Sequence, residues 1–165
     1  MRFSLEQQLP GAIDDVLAAL LDPEFLRCLG DLPNLGAPEV LSQERAGDVV
    51  VQRVHYAFTG SLSAAVTRVI DPKKVTWVDE TTYDLGVRQA TFRIIPDHYG
   101  NKLRCHGTHV FTSRADGGTI RNVEGELTVK VPLVGRIVER AIASGLEDHL
   151  RAEADLLAEW VEVKG

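Results

Sequence analysis

Residues 133–161 read LVGRIVERAIASGLEDHLRAEADLLAEWV, and after Pro132 no proline interrupts them. Apolar side chains recur at Val134, Val138, Ile142, Leu146, Leu150, Ala154, Leu157 and Val161. Steps of four, with a single step of three, predict one long amphipathic helix. Arg136, Glu139, Arg140, Glu147, Asp148, Arg151, Glu153 and Glu159 occupy its other faces, which the pattern assigns to water. At about 1.5 Å per residue such a helix runs roughly 43 Å. Seven or eight strands spaced about 4.8 Å apart make a sheet of similar width. One helix of this length can therefore cross a whole sheet.

The preceding chain supplies the strands. Phe3, Leu5, Gln7 and Leu9 alternate with Arg2, Ser4, Glu6 and Gln8, the period of a strand, until Pro10-Gly11 breaks it. Ile13, Val16, Leu17, Leu20 and Leu21 follow at helical spacing, with Asp14 and Asp15 in the first turn, where the helix dipole favours them. Asp22-Pro23-Glu24 restarts a second short helix, with Asp as N-cap and Pro at the first helical position. Asp31 to Pro38 is expected to be a loop. From Glu39 the period becomes two, giving expected strands at 39–45, 49–58, 61–70, 75–84, 87–96, 102–114 and 119–131. Their short connections imply antiparallel neighbours.

The predicted class is α+β. A curved antiparallel sheet of seven or eight strands surrounds the terminal helix, with two short helices after the first strand, and one domain covers residues 1–165. A sheet with one apolar face must bury it, and the terminal helix is the element large enough to cover it. Space between sheet and helix is expected to form a cavity.

Three stretches carry a resemblance to a known superfamily. They are the opening strand and helix running into Leu21–Leu26, the Gly125–Gly135 transition, and Ile137–Ile142 continuing to Ala154–Trp160. With the element order they resemble the START-like, or helix-grip, superfamily (SRPBCC), which includes the birch-pollen-allergen-like proteins, and within it an uncharacterised bacterial branch. The resemblance implies a cavity for a small hydrophobic or amphipathic ligand, lipid-like or polyketide-like. It implies neither a cofactor nor a named ligand, because binders, carriers and enzymes share this fold.

Polar residues among the strands are the candidate handles. On 49–58, Arg53 and His55 share one face with Val49 and Val51, while Val50, Val54, Tyr56 and Phe58 share the other. The sequence leaves open which set faces the cavity. On 75–84, Trp77, Asp79, Thr81 and Tyr83 share a face that suits a pocket with an orienting carboxylate. His109 shares a face with Phe111, and Phe92 is placed with them. Leu146, His149 and Leu150 face the same interior from the helix. These eleven residues, Arg53, His55, Trp77, Asp79, Tyr83, Phe92, His109, Phe111, Leu146, His149 and Leu150, form the expected ligand-binding set, and none is assigned as catalytic. Gly145 is read either as a close-packing position or as room for a ligand, since glycine inside a helix costs about 1 kcal/mol against alanine.

Other motifs fall away. His106 and His109 lie three apart, so on a regular strand they point to opposite faces and no metal site is expected. Glu124 and Glu126 share the polar face of their strand and are expected in water. There is no Gly-x-Ser-x-Gly elbow and no phosphate-binding Gly-Lys-Ser/Thr loop. The net charge of −6 argues against nucleic acid, and no apolar run is long enough to span a bilayer. The first six residues lack a signal-peptide core, and Cys28 and Cys105 are isolated thiols, which points to the cytoplasm. The leading expectation is a binder or carrier of a small amphipathic molecule. The alternative is an enzyme resembling polyketide aromatase/cyclases, with cavity residues shuttling protons.

Overall fold

The computed structural model describes residues 1–164 except Pro33 and Ala37, and the backbone alone of Val163 and Lys164. Pro33 and Ala37 belong to the expected Asp31 to Pro38 loop, so that part of the expectation lies outside the described residues. The chain runs β1 (Arg2–Leu9), α1 (Ile13–Leu20), α2 (Pro23–Cys28), β2 (Glu39–Ala46), β3 (Val49–Ala57), α3 (Ala64–Thr67), β4 (Thr76–Asp84), β5 (Gln89–Pro96), β6 (Leu103–Ser113), β7 (Thr119–Val129) and α4 (Gly135–Lys164). Single 3-10 turns follow α2 at Leu29–Asp31 and precede β4 at Pro72–Lys74. Asp22 caps α2 as expected, accepting from the Glu24 N–H at 2.9 Å ahead of Pro23.

All strands join one curved antiparallel sheet in the order β1-β7-β6-β5-β4-β3-β2. The opening strand thus pairs with the last, and β2 and β1 form the edges. The strand expected at 61–70 does not exist. Ser63 accepts from the Val66 N–H at 3.4 Å and starts the single turn α3 instead. Val66 of that turn, with Leu62 before it and Ile70 after it, packs onto the core around Phe92, Cys105 and Val138. Three apolar residues spaced by four read equally as alternate positions of a strand, which explains the error.

Cross-strand register sorts the two faces. Across the outer face run Arg53, Glu80, Arg93, His106, Glu126 and Arg2, each opposite the next on a neighbouring strand. Glu80 is held between Arg53 and Arg93, both at 2.7 Å, and Glu126 lies between Arg2 and His106. Opposite charges placed directly across a ladder favour this register over a slipped one. Glu124 and Glu126 are exposed on this face, as the sequence indicates.

The inner face is apolar at both ends and polar in the middle. Near α1 and α2 the core holds Leu9, Val16, Phe25, Leu29 and Leu157; near the start of α4 it holds Phe3, Phe92, Leu127 and Val138. Gly107 and Gly125 face each other across β6 and β7. A Cβ on Gly107 would lie 2.7 Å from the tip of Phe92, and one on Gly125 would collide with the Phe3 ring. The two glycines thus clear the space in which both rings lie on the sheet.

Helix α4 crosses this inner face and ends three residues beyond the expected limit at Val161. Val138, Leu150 and Leu157 of the expected stripe are buried. Gly145 is exposed, and an added Cβ would meet nothing within 4 Å, so it neither packs closely nor lines the interior. Among the described residues no helix is long and apolar enough to cross a membrane.

Candidate functional site

Between the sheet and the middle of α4 lies a cavity of about 80 Å³. Its floor follows from register: Gln52, Thr81 and Phe92 sit opposite one another on β3, β4 and β5, with Val54, Asp79 and Ile94 in the next inward row. Tyr83 and His109 come from the row on the other side, each opposite Ala90 of β5. Leu146, His149, Leu150 and Glu153 of α4 form the roof, and Leu20 and Leu26 of the short helices close one side.

A buried ion pair joins roof to floor. Arg121 of β7 is 1% exposed, and its Nη1 lies 2.6 Å from Glu153 Oε1. Its Nε donates to Gln7 Oε1 of β1 at 2.8 Å, while Gln7 Nε2 donates to the Leu150 carbonyl of α4 at 2.8 Å. Charge this deep is tolerated because every partner is supplied. Sequence patterning had sent Glu153 to water; it is buried because Arg121 neutralises it. Both residues carried a signal. Arg121 has the same strand parity as Val123 and Leu127, and Glu153 follows Leu146, His149 and Leu150 at helical spacing.

Around this pair the titratable groups are strongly perturbed. Burial raises Asp79 to about 6; the hydrogen bond from Thr81 Oγ1 at 2.8 Å opposes the shift, and repulsion from Glu153 adds to it. Burial also lowers His109 to about 3, helped by the Arg121 charge, with Glu153 pulling the other way. His149 is lowered too, by burial first, although Glu153 pulls it upward. Burial pushes Glu153 up, yet Arg121 and then His149 outweigh it and hold its carboxyl below the ordinary range. Tyr56 and Tyr83 are raised by burial and by the nearby carboxylates, so both remain phenols. The Nδ1 of His149 is buried without a hydrogen-bond partner, an atom left for something else to satisfy.

At neutral pH the cavity therefore presents two uncharged imidazoles, phenol groups, a threonine hydroxyl and a carboxylate that titrates near neutrality. Such a set can fix the polar end of a molecule by hydrogen bonds, and Asp79 can take or give a proton.

Of the residues expected from sequence, Asp79, Tyr83, Phe92, His109, Leu146, His149 and Leu150 line this cavity. Phe111 is buried behind it, its ring stacked on His109 with centroids 6.3 Å apart. Trp77 stacks on Tyr56 at 5.8 Å, packed against the core but outside the lining. Arg53 and His55 do not join them. They belong to the outer face, where Arg53 pairs with Glu80 and His55 Nε2 meets Asp97 Oδ2 at 2.5 Å. Tyr56, Gln52, Arg121 and Glu153 are among the lining residues outside that expected set. A wider hollow of about 460 Å³ lies on the outer face between Glu80, Thr82, Thr91, Arg93, His106 and Thr108. It is open, and its charged walls already pair with each other.

The architecture recurs in solved structures. A protein from Thermus thermophilus superposes with a TM-score of 0.66 at 19% identity, covering 95% of this chain and 97% of its own. An aromatase/cyclase from Streptomyces sp. R1128 gives 0.67 at 14%, covering 98% and 93%. Norcoclaurine synthase from Thalictrum flavum gives 0.67 at 19%, covering 98% and 86%. At these identities the likeness is one of fold, the helix-grip arrangement that the sequence pattern suggested. No curated protein matches the chain. Residues 4–161 match a family described as "Protein of unknown function (DUF2505)", and over that span, nearly its whole length, the chain belongs to this family.

Proposed function

We propose that the protein binds a small amphipathic molecule between the sheet and α4. Its apolar part would rest on Phe92, Leu146 and Leu150, and its polar end would meet Asp79, His109 and His149. The observation that carries this reading is the unpartnered Nδ1 of His149, buried over a cavity whose other walls are phenols, a carboxylate and a second neutral imidazole. A buried polar atom without a partner costs about 1–3 kcal/mol, which a bound hydroxyl or amine would recover. The fold likeness to an aromatase/cyclase and to norcoclaurine synthase supports the same interior as a place for ligands. The two free thiols, Cys28 and Cys105, support a cytoplasmic setting.

Size limits the ligand. At about 80 Å³ the cavity is far below the roughly 300–1,000 Å³ of ordinary ligand sites. It is also smaller than the cavity of about 150 Å³ that accepts benzene in a well-known engineered protein core. A lipid- or polyketide-sized ligand therefore requires α4 to bow outward or Leu146 and His149 to swing aside.

A second reading, proton-transfer chemistry on a bound carbonyl or phenol, is favoured by one observation. Asp79, at about 6, shares the cavity with Tyr83 and His109, the arrangement a general base and its hydrogen-bond partners need.

Native mass spectrometry of the purified protein, with solvent extraction and analysis of anything released, tests the main reading. A retained small molecule, lost from Leu146→Trp protein whose unfolding temperature is unchanged, is the expected result. Absence of any adduct, with no stabilisation by a panel of aromatic amines, phenols and short fatty acids, would sink it. If the panel ligands bind, their turnover by wild type but not by Asp79→Asn distinguishes enzyme from carrier.

A further inference from the structure

The connections at one end of the sheet gather charge of one sign. Pairing places the end of β3 beside the start of β4, the end of β5 beside Trp77, and the start of β6 beside the end of β7. The segments beyond these ends are 58–75, 97–102 and 130–134, the last leading into α4. They are tied to each other: the Lys130 N–H donates to the Lys102 carbonyl at 2.7 Å, and the Asp71 N–H donates to the Tyr99 hydroxyl at 3.0 Å. Lys73, Lys74, Lys102, Lys130, Arg136 and Arg140 are all exposed here. Among the described residues none of these six has a carboxylate within ion-pair distance, whereas Arg2, Arg53, Arg93 and Arg121 elsewhere are all paired. The nearby acids are already engaged. Asp71 accepts from the Lys73 N–H, Asp97 is held by His55 and Thr76, and Glu139 accepts from the Val129 N–H. At the other end, α1, α2 and the turn after them carry Asp14, Asp15, Asp22, Glu24 and Asp31 against the single Arg27.

In the middle of these cations stand uncovered aliphatic side chains. Leu133 is 102% exposed and is held at φ 71°, a left-handed conformation that a leucine rarely adopts. One helical turn later Ile137 is 48% exposed, and on the neighbouring segment Val69 is 44% exposed. The fold holds Leu133 strained and clear of every neighbour instead of turning it inward, which calls for a partner outside the chain.

We propose that this end, Leu133 and Ile137 ringed by Lys102, Lys130, Arg136 and Arg140, docks onto an anionic lipid surface. The cations meet the lipid phosphates and the two aliphatic side chains enter the acyl boundary. A protein of net charge −6 can do this because screening at physiological salt falls off over about 8 Å, so a membrane at the basic end does not feel the acidic end. Aliphatic side chains standing clear of the surface among the cations favour a bilayer over nucleic acid, whose readers supply aromatic and amide groups, and over a flat acidic protein face. The inference rests on the surface alone and is independent of what the cavity holds.

Co-sedimentation with vesicles tests it, comparing pure phosphatidylcholine with phosphatidylcholine containing about one-third phosphatidylglycerol at physiological salt. The expected partition onto the anionic vesicles is at least about tenfold higher and falls as salt is raised. Arg136→Glu/Arg140→Glu should remove most of it. Leu133→Asn should lower it several-fold while unfolding at the same or a higher temperature, because asparagine tolerates the left-handed backbone. The cavity variant Leu146→Trp should bind vesicles as wild type does. Equal partition onto both vesicles, no partition onto either, or full binding by both surface variants would overturn the proposal.

Discussion

Asp79 and His109 share one cavity, yet their protonation affects stability in opposite directions. The Asp79 carboxyl titrates at about 6 in the fold and at 3.8 when free, so the native state holds its proton more tightly. Stability is lost as pH rises through that window and stays lost above it. Replacing Asp79 with Asn keeps the Thr81 hydrogen bond and removes the penalty. The difference between about 6 and 3.8 sets the gain near pH 7.5 at up to about 3 kcal/mol. Urea unfolding should show that gain shrinking to nothing near pH 4. His109 behaves in reverse: its fold value of about 3 lies below the ordinary 6.5, so wild type loses stability as pH falls through that interval and His109→Gln should flatten the loss. Gly145 offers a plainer case. It is exposed mid-helix with open space where a Cβ would go, so Gly145→Ala should stabilise by about 0.5–1 kcal/mol in thermal or denaturant unfolding. The inward positions of Asp79 and His109 could be read from strand parity. The outward positions of Arg53 and His55 could not, because β3 alternates valines on both faces, and what fixes the polar side is Glu80 on another strand and Asp97 beyond it.

Among elements, the contact that most defines the site is the one the sequence hides. Arg121 has inward strand parity and Glu153 inward helical spacing, but they lie on separate elements, and only the fold brings them to 2.6 Å. Arg121→Met alone should destabilise by about 3–5 kcal/mol, since it strands a buried carboxylate and leaves Gln7 with one partner fewer. Adding Glu153→Leu should restore most of that loss, and a double-mutant cycle by denaturant unfolding reads the coupling directly. Recovery of nothing by the double variant would mean that packing, not charge, holds this point together. The boundaries of β1, α1, α2 and β4 were legible because each has a period and a stop signal, whereas α4 had a period but no stop signal and runs three residues past its expected end. Residues 61–70 misled because Leu62, Val66 and Ile70 satisfy both periods, and the decision rests on whether Ser63 caps a turn.

For the whole molecule, the order of elements was enough to indicate a sheet gripping one helix, but not how much room the grip leaves. Period and spacing say which side chains face inward; they do not say that two tyrosines, a phenylalanine and an ion pair nearly fill the space. Helix α4 is fastened at two places. Glu139 bonds the end of β7 near its start, and Gln7 and Arg121 hold it from Leu150 to Glu153. Between these fastenings the helix lies over the cavity. Amide hydrogen exchange should be slowest around residues 150–157 and faster across 143–148, and Gly145→Ala should slow the faster segment. Uniform exchange along α4 would refute this division.

The glycine that packs against nothing then acquires a mechanical meaning. A helix segment held at Glu139 and again from Leu150 to Glu153 is a beam, and Gly145 is the compliant point of that span, in the turns that carry the side chains roofing the hollow. A beam of this kind yields by bowing at mid-span while its ends hold. The same methyl group that makes Gly145→Ala more stable would also stiffen the span, so that the hardier protein would admit a guest more slowly.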